Sequence, residues 1–307
     1  MSRRGASRLP DPEREPTGEW AWLEERPVFT THGEKGGNVT RVPPDAVLEP
    51  FRPGFACLIA GLAVSSGLMI AGAGLVVAGL SEGLGPGSWW WLALALPTAV
   101  LAVFFFAGVH VRGMELLMRE RPRNLFVLTG LLAGTAVGLG VPAAWWSRRA
   151  ADIGLHPEII EYPGWNHEQR YWAVLLGIGA AVAAAGCLLS AAAAARGARR
   201  ARRDVARILR LRATGTRHSA AVIRLPDPAS WDRGGDVPIR YRDDAGEHVI
   251  RARLNTYAHE IPVPGTRVIV FTDDDGDLLV ELDPGHPLVY HLHSRPYESD
   301  TSGGGSM

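Results

Sequence analysis

Cysteine is almost missing. Cys57 and Cys187 are the only two, and both lie inside apolar runs. Such placement excludes a disulfide-stapled fold and reads as two thiols facing lipid or a helix neighbour. Lysine is scarcer still. Lys35 is the single one, and Arg carries all other fixed positive charge, a bias that looks like the codon usage of a high-GC bacterium. The most informative lack is of any charge in four long stretches, residues 54–80, 89–111, 125–146 and 171–195, which hold no Asp, Glu, Lys or Arg. A soluble helix of that length shows a polar face. Helices of about 20 apolar residues satisfy their backbone and cross a bilayer, so the chain reads as a multi-pass membrane protein with four spans. An aspartyl or metal site in the membrane is excluded by the same lack, which also weighs against an ion or proton path. Ser65 and Ser66 share the membrane with no Asp, and the only histidine near a span is His110 at the end of the second. No enzyme activity and no cofactor is expected. The first 50 residues show no early apolar core, so the first span is expected to act as an uncleaved anchor.

What is present sets the orientation. The loop between the first two spans has Glu82 and no basic residue, whereas the next carries Arg112, Arg119, Arg121 and Arg123. The third loop has Arg148, Arg149 and Arg170, and the N-terminal flank has Arg41 and Arg52. Between positions 196 and 212 there are eight arginines and one acid, Asp204. Positive charge stays on the cytoplasmic side, which places both termini there, in a bacterial inner membrane. Trp89, Trp90, Trp91, Trp145, Trp146, Trp165 and Trp172 fall at the opposite ends of the spans, at the headgroup level that indole prefers.

Gly130, Gly134 and Gly138 recur every four residues in the third span and predict a close helix contact. Packing within a four-helix bundle is the expected use, and a homo-oligomer face is the alternative. Pro97 predicts a kink in the second span. Arg196, Arg199, Arg200, Arg203, Arg207 and Arg210 recur at helical spacing after the fourth span. They read as a stop-transfer signal in contact with anionic inner-leaflet lipid, with no nucleic-acid role.

The soluble parts differ. Residues 1–52 are rich in Pro, Gly and charge and are expected to be a disordered cytosolic tail. Within them Trp20, Trp22, Leu23, Val28 and Phe29 form one apolar patch able to dock on the soluble domain or the membrane surface. The domain plan is then a bundle over 53–196, a basic juxtamembrane helix over 197–213, a β domain over 214–287 and a flexible tail over 288–307. In the β domain the period changes to two. Strands are expected at 219–225, 237–242, 248–254, 267–272 and 278–282, with hairpin turns at Asp243-Asp244-Ala245-Gly246 and Asp273-Asp274-Asp275-Gly276. Five short strands in about 70 residues bury a core by curling into a small barrel, OB- or SH3-like.

Metal readings fail on spacing. With Gly276 as the sixth position, an EF-hand would begin at Phe271 and end at Leu282, so both ends lack their ligand. His156, Glu158, Glu161, His167 and Glu168 fit no ligand pattern and read as a surface loop broken by Pro157 and Pro163. His286, His291 and His293 read as part of a flexible tail.

Val263-Pro264-Gly265-Thr266-Arg267-Val268-Ile269-Val270, followed by Asp277-Leu278-Leu279-Val280-Glu281, resembles the soluble β-barrel of bacterial NfeD-like membrane proteins. It also looks like a related family of bacterial membrane proteins of unknown function, whose Asp-Pro ending Asp283-Pro284 resembles. The resemblance covers about a quarter of the chain. It implies a cytosolic barrel tethered below a helical bundle and a partner bound in the membrane, and the Pro-rich insert 226–236 departs from it. The expected function is a membrane-anchored accessory or scaffold protein whose barrel binds a protein partner. An oligomeric channel or transporter subunit is the alternative.

Overall fold

A computed structural model of the chain describes residues 27–81, 89–155, 163–225, 234–256 and 262–286. Four long helices, α1 (Pro53–Ser81), α2 (Trp89–Leu117), α3 (Glu120–Leu155) and α4 (Pro163–Thr214), are followed by strands β2 (Thr216–Val222), β3 (Gly235–Asp243), β4 (Gly246–Asn255), β5 (Arg267–Thr272) and β6 (Leu278–Leu282). Strand β1 (Val28–Thr30) precedes them all. The chain divides into two compact units, residues 48–202 and residues 1–47 with 203–307. Helix α4 is continuous, and its last 12 residues from Arg203 belong to the second unit.

Each of the four helices is long and apolar enough to cross a membrane, by length and composition. Leu62, Val109, Leu117 and Val127 form a buried core between them, but many other apolar side chains face outward. Val100, Phe104, Val182 and Leu188 are 64%, 65%, 67% and 73% exposed, a surface suited to lipid. The hydroxyls inside the helices are satisfied locally. Ser65 donates to the Gly61 carbonyl at 2.7 Å, Ser66 to that of Leu62 at 2.7 Å and Thr135 to that of Leu131 at 2.9 Å, the back-bonding that lets Ser and Thr sit in a membrane helix.

Glycine sets how closely α1 and α3 approach. A methyl group on Gly134 would stand 2.5 Å from the Ala63 carbonyl oxygen and collide with the Ser66 hydroxyl. One on Gly138 would stand 2.8 Å from the Gly67 carbonyl oxygen, and one on Gly130 3.3 Å from that of Ile59. All three glycines therefore face α1 within the chain. Gly61 of α1 takes the Phe105 ring of α2 in the same manner. Helix α4 meets α3 where Gly179 and Gly186 face Leu139 and Leu132, and through polar contacts that include the Cys187 thiol donating to the Thr129 carbonyl at 3.7 Å. The Thr129 and Ser190 hydroxyls lie 3.0 Å apart, and the Leu125 and Cys187 carbonyls stand ready for the remaining proton. Pro97 lies inside α2 and Pro142 inside α3. Helices α2 and α3 are joined at Met118, a left-handed residue with φ 49° whose N–H bonds the Met114 carbonyl at 2.7 Å.

The second unit is a small, nearly closed antiparallel barrel of six strands in the order β1-β4-β3-β2-β5-β6. Alternate residues fill its interior. Val222, Val237, Ile239, Leu254, Val268 and Val270 are 0–1% exposed, the pleat rule in its simplest form. Two glycines fit the turns expected for them, with φ 134° at Gly246 and φ 82° at Gly276.

Two expectations need correction. Residues 28–30 are not tail but the sixth strand. Val28, Phe29 and Thr30 pair with Asn255, Leu254 and Arg253, and Phe29 is 5% exposed in the barrel core. Pro163 does not break a helix but begins α4, because the missing N–H falls where no intrahelical bond would form. His167 and Glu168 thus lie within α4, while His156, Glu158 and Glu161 lie outside the described residues.

Candidate interaction site

Within the second unit, the last turns of α4 and the turn between β5 and β6 form a charged site, and the basic stretch of α4 begins in the first unit, at Arg196. At about 100° per residue, Arg196, Arg199, Arg200, Arg203, Arg207 and Arg210 fall within about a third of the helix circumference. Arg196, Arg199, Arg200 and Arg203 are exposed. Arg196 reaches only its own helix, at the Ala192 carbonyl. From Arg207 onward the same face meets carboxylates. Arg207 Nη2 donates to the Leu278 carbonyl at 2.7 Å, and its Nε lies 3.3 Å from Asp277 Oδ2 as an ion pair. Arg210 Nη2 donates to Asp277 Oδ2 at 2.8 Å and to Asp273 Oδ2 at 3.2 Å. So two of the six arginines are held by the barrel, and four are displayed.

Arg212 points elsewhere. Its Nε and Nη2 donate to Glu281 Oε1, its Nη2 also to the Val42 carbonyl at 2.7 Å, and its Nη1 to the Pro43 carbonyl at 2.5 Å. One guanidinium thereby ties together the helix end, β6 and the segment after β1. Arg202, in the other unit, donates to the Glu49 carbonyl at 2.7 Å and stacks 4.9 Å over the Phe51 ring.

In the acidic turn Asp273 and Asp277 are engaged internally, whereas Asp274 and Asp275 are exposed. Asp273 Oδ1 accepts the Asp277 N–H at 2.8 Å, and the Asp273 carbonyl accepts the Gly276 N–H at 3.1 Å. Its other oxygen faces Arg210. Among the described residues no group of three or more His, Cys, Asp or Glu is arranged to hold a metal ion.

At one mouth of the barrel the inward positions turn polar. The ring of Tyr241 lies between His218, 5.5 Å away, and His248, 5.2 Å away and stacked. His218 Nε2 is 3.0 Å from the Thr272 hydroxyl and His248 Nε2 2.9 Å from Asp243 Oδ1. Burial, with some help from Asp243, pushes the Tyr241 phenol up. Burial also works to raise Asp243, but the His248 ring and the Ala245 and Gly246 N–H groups outweigh it and hold the carboxyl below its ordinary value. This stack was not among the expected sites. Its signal in the sequence is the parity of His218 with Ala220 and Val222, and of Tyr241 with Val237 and Ile239.

A second cluster sits after β6. Arg267 Nη1 lies 2.8 Å from His286 Nε2, and His286 Nδ1 lies 2.8 Å from Asp283 Oδ2. The Gly285 N–H above all, with the His286 ring and Arg217, holds Asp283 below the usual carboxylate range, although burial works against them. His291 and His293 lie outside the described residues. A shallow cleft opens beside β1 and β6, lined by Phe29, Thr31, Glu34, Thr40, Asp204 and Arg207 among others.

Compared with models of known families, with curated proteins and with solved structures, the chain matches none. The likeness of residues 263–270 and 277–281 to NfeD-like barrels therefore rests on those residues alone.

Proposed function

We propose that the chain is a membrane-anchored accessory or scaffold protein whose β-barrel binds a protein partner at the cytoplasmic face of a bacterial inner membrane. One observation carries the reading. The barrel interior is filled by side chains, with Val222, Val237, Ile239, Leu254, Val268 and Val270 at 0–1% exposure, so what the domain offers a ligand is its surface, and small filled barrels of this kind serve as recognition modules. Continuity of α4 from its apolar run into the barrel unit supports the anchoring role. The arginines between α2 and α3 and after residue 196 support the cytoplasmic side. Arg196, Arg199, Arg200 and Arg203, exposed on one helical face, suit anionic lipid, each contributing about 1 kcal/mol of attraction near the surface. We assign the protein no reaction and no cofactor.

The test is affinity purification from crosslinked native membranes, with a chain lacking 214–287 as control. A stoichiometric protein captured by the full chain and lost with the barrel supports the proposal. Unchanged capture by the deleted chain contradicts it.

A further inference from the structure

Strand β4 runs from Gly246 to Asn255, yet β1 pairs only with its last three residues, Arg253, Leu254 and Asn255. Among the described residues no strand lies on that side of residues 246–252. The open stretch has a definite hydrogen-bonding parity. Asp243 and Gly246 pair across the two-residue turn of the β3–β4 hairpin, so Gly246 bonds back to β3, and alternation points the N–H and C=O of Glu247, Val249 and Arg251 outward. The same parity sends Arg253 and Asn255 toward β1, where they are in fact paired. The side chains of Glu247, Val249 and Arg251 also share one exposed face of the strand. Val249 is 59% exposed, one of only two large exposed aliphatic side chains described in this unit.

Edges of this kind attract a further strand unless they are short, bulged or guarded by charge. Here the charges are arranged symmetrically about an apolar centre. Glu247 and Arg251 lie two residues to either side of Val249. An antiparallel copy placed on the twofold axis at Val249 sets Val249 against its own equivalent and each Glu247 against an Arg251. Each chain then forms both hydrogen bonds at the central pair, and no like charges face each other. Arg240, whose Nε lies 3.0 Å from Glu247 Oε1 across the β3–β4 ladder, leaves that arrangement intact because it sits on the strand behind. A like-charged or apolar partner strand would lack this match.

We propose that the edge of β4 left open by the described strands is a homodimer interface, where residues 247–251 of two copies pair antiparallel about Val249. This does not depend on the identity of the partner proposed above. It assigns β4 to self-association and leaves the rest of the barrel surface for other proteins.

The experiment uses the full chain in native membranes with Cys57→Ala and Cys187→Ala, so that introduced thiols act alone. In a hydrogen-bonded antiparallel pair the Cα atoms lie about 5.5 Å apart, inside the range a disulfide spans. Val249→Cys is expected to give a covalent dimer on mild oxidation, well above the yield of Asp274→Cys in the exposed β5–β6 turn. Adding Glu247→Arg, or Arg251→Glu, to Val249→Cys is expected to abolish the dimer, since each variant opposes like charges. Co-expressing the two charge variants, distinguished by tags, is expected to restore a mixed dimer in which both ion pairs are re-formed. Glu247→Cys co-expressed with Arg251→Cys supplies an independent crosslink if the Val249 substitution perturbs the strand. Val249→Cys dimer at the Asp274→Cys level, charge variants without effect, or a crosslink to a different protein would each overturn the proposal.

Discussion

Arg212 Nη2 and Nε both donate to one carboxylate oxygen of Glu281, at 2.7 and 2.9 Å. The arginine is the last basic residue of α4 and the glutamate lies in the last strand of the barrel. Arg212 is 18% exposed at its side chain and gives its remaining donors to the Val42 and Pro43 carbonyls. The pair is thus part of a junction that closes the barrel with the segment after β1. Arg212→Ala is expected to lower stability by about 2–3 kcal/mol, since charged hydrogen bonds are lost and Glu281 is left without its partner. Arg212→Lys is expected to recover less than half of that, because an ammonium cannot reproduce the fork. Thermal unfolding of the purified protein, read together with protease sensitivity around residue 43, checks both.

Phe29 gives the most direct test of the N-terminal strand. It is 5% exposed and belongs to the same core as Leu254 and Val280. Phe29→Ala is expected to cost about 3–5 kcal/mol, whereas substitution of a solvated tail residue would cost nothing measurable. Hydrogen exchange across β4 and β6 should rise in the variant.

Gly134 has no room for a side chain against Ala63 and Ser66. Gly134→Ala is expected to lose about 1–3 kcal/mol by forcing α1 and α3 apart, and Gly134→Leu to prevent the helices from packing. Gly72, with no atom near its added methyl position, is the control, and Gly72→Ala is expected to be neutral or slightly stabilising. Thermal unfolding in detergent distinguishes them.

Asp283 is held below its ordinary value by the Gly285 N–H, His286 and Arg217. A depressed folded value means that its contribution is present above the unfolded value of about 3.9 and is lost as pH falls through the folded value. Carboxyl chemical-shift titration of the full chain should put the Asp283 midpoint below that of an unstructured Asp. His286→Ala should move the midpoint up, toward the ordinary value, and leave Asp243 unchanged.

The parts of the fold governed by local pattern were legible. Charge-free runs of 22 residues or more read as helices, period two read as strands, and Gly246 and Gly276 marked the turns that they make. What was not legible depends on partners distant in sequence. Val28–Thr30 is three residues long, with only Phe29 turned into the core, so it carries no periodicity of its own. Its place is set by β4, more than 220 residues later. The arginines of α4 read the same whether they face lipid or carboxylate, and only the folded position of Asp273 and Asp277 separates Arg207 and Arg210 from Arg203. Pro163 reads as a breaker or a helix start according to whether a helix follows.

Thiol accessibility tests the proposed cytoplasmic placement of the barrel most directly. In a chain with Cys57→Ala and Cys187→Ala, one cysteine is introduced either at Asp274, exposed in the β5–β6 turn, or at Ser88, in the loop expected outside. Intact expressing cells are treated with a membrane-impermeant maleimide before and after lysis. The predicted result is that Ser88→Cys labels in intact cells and Asp274→Cys labels only after lysis. Labelling of Asp274→Cys in intact cells, with Ser88→Cys protected, would place the barrel on the outer side and contradict the account.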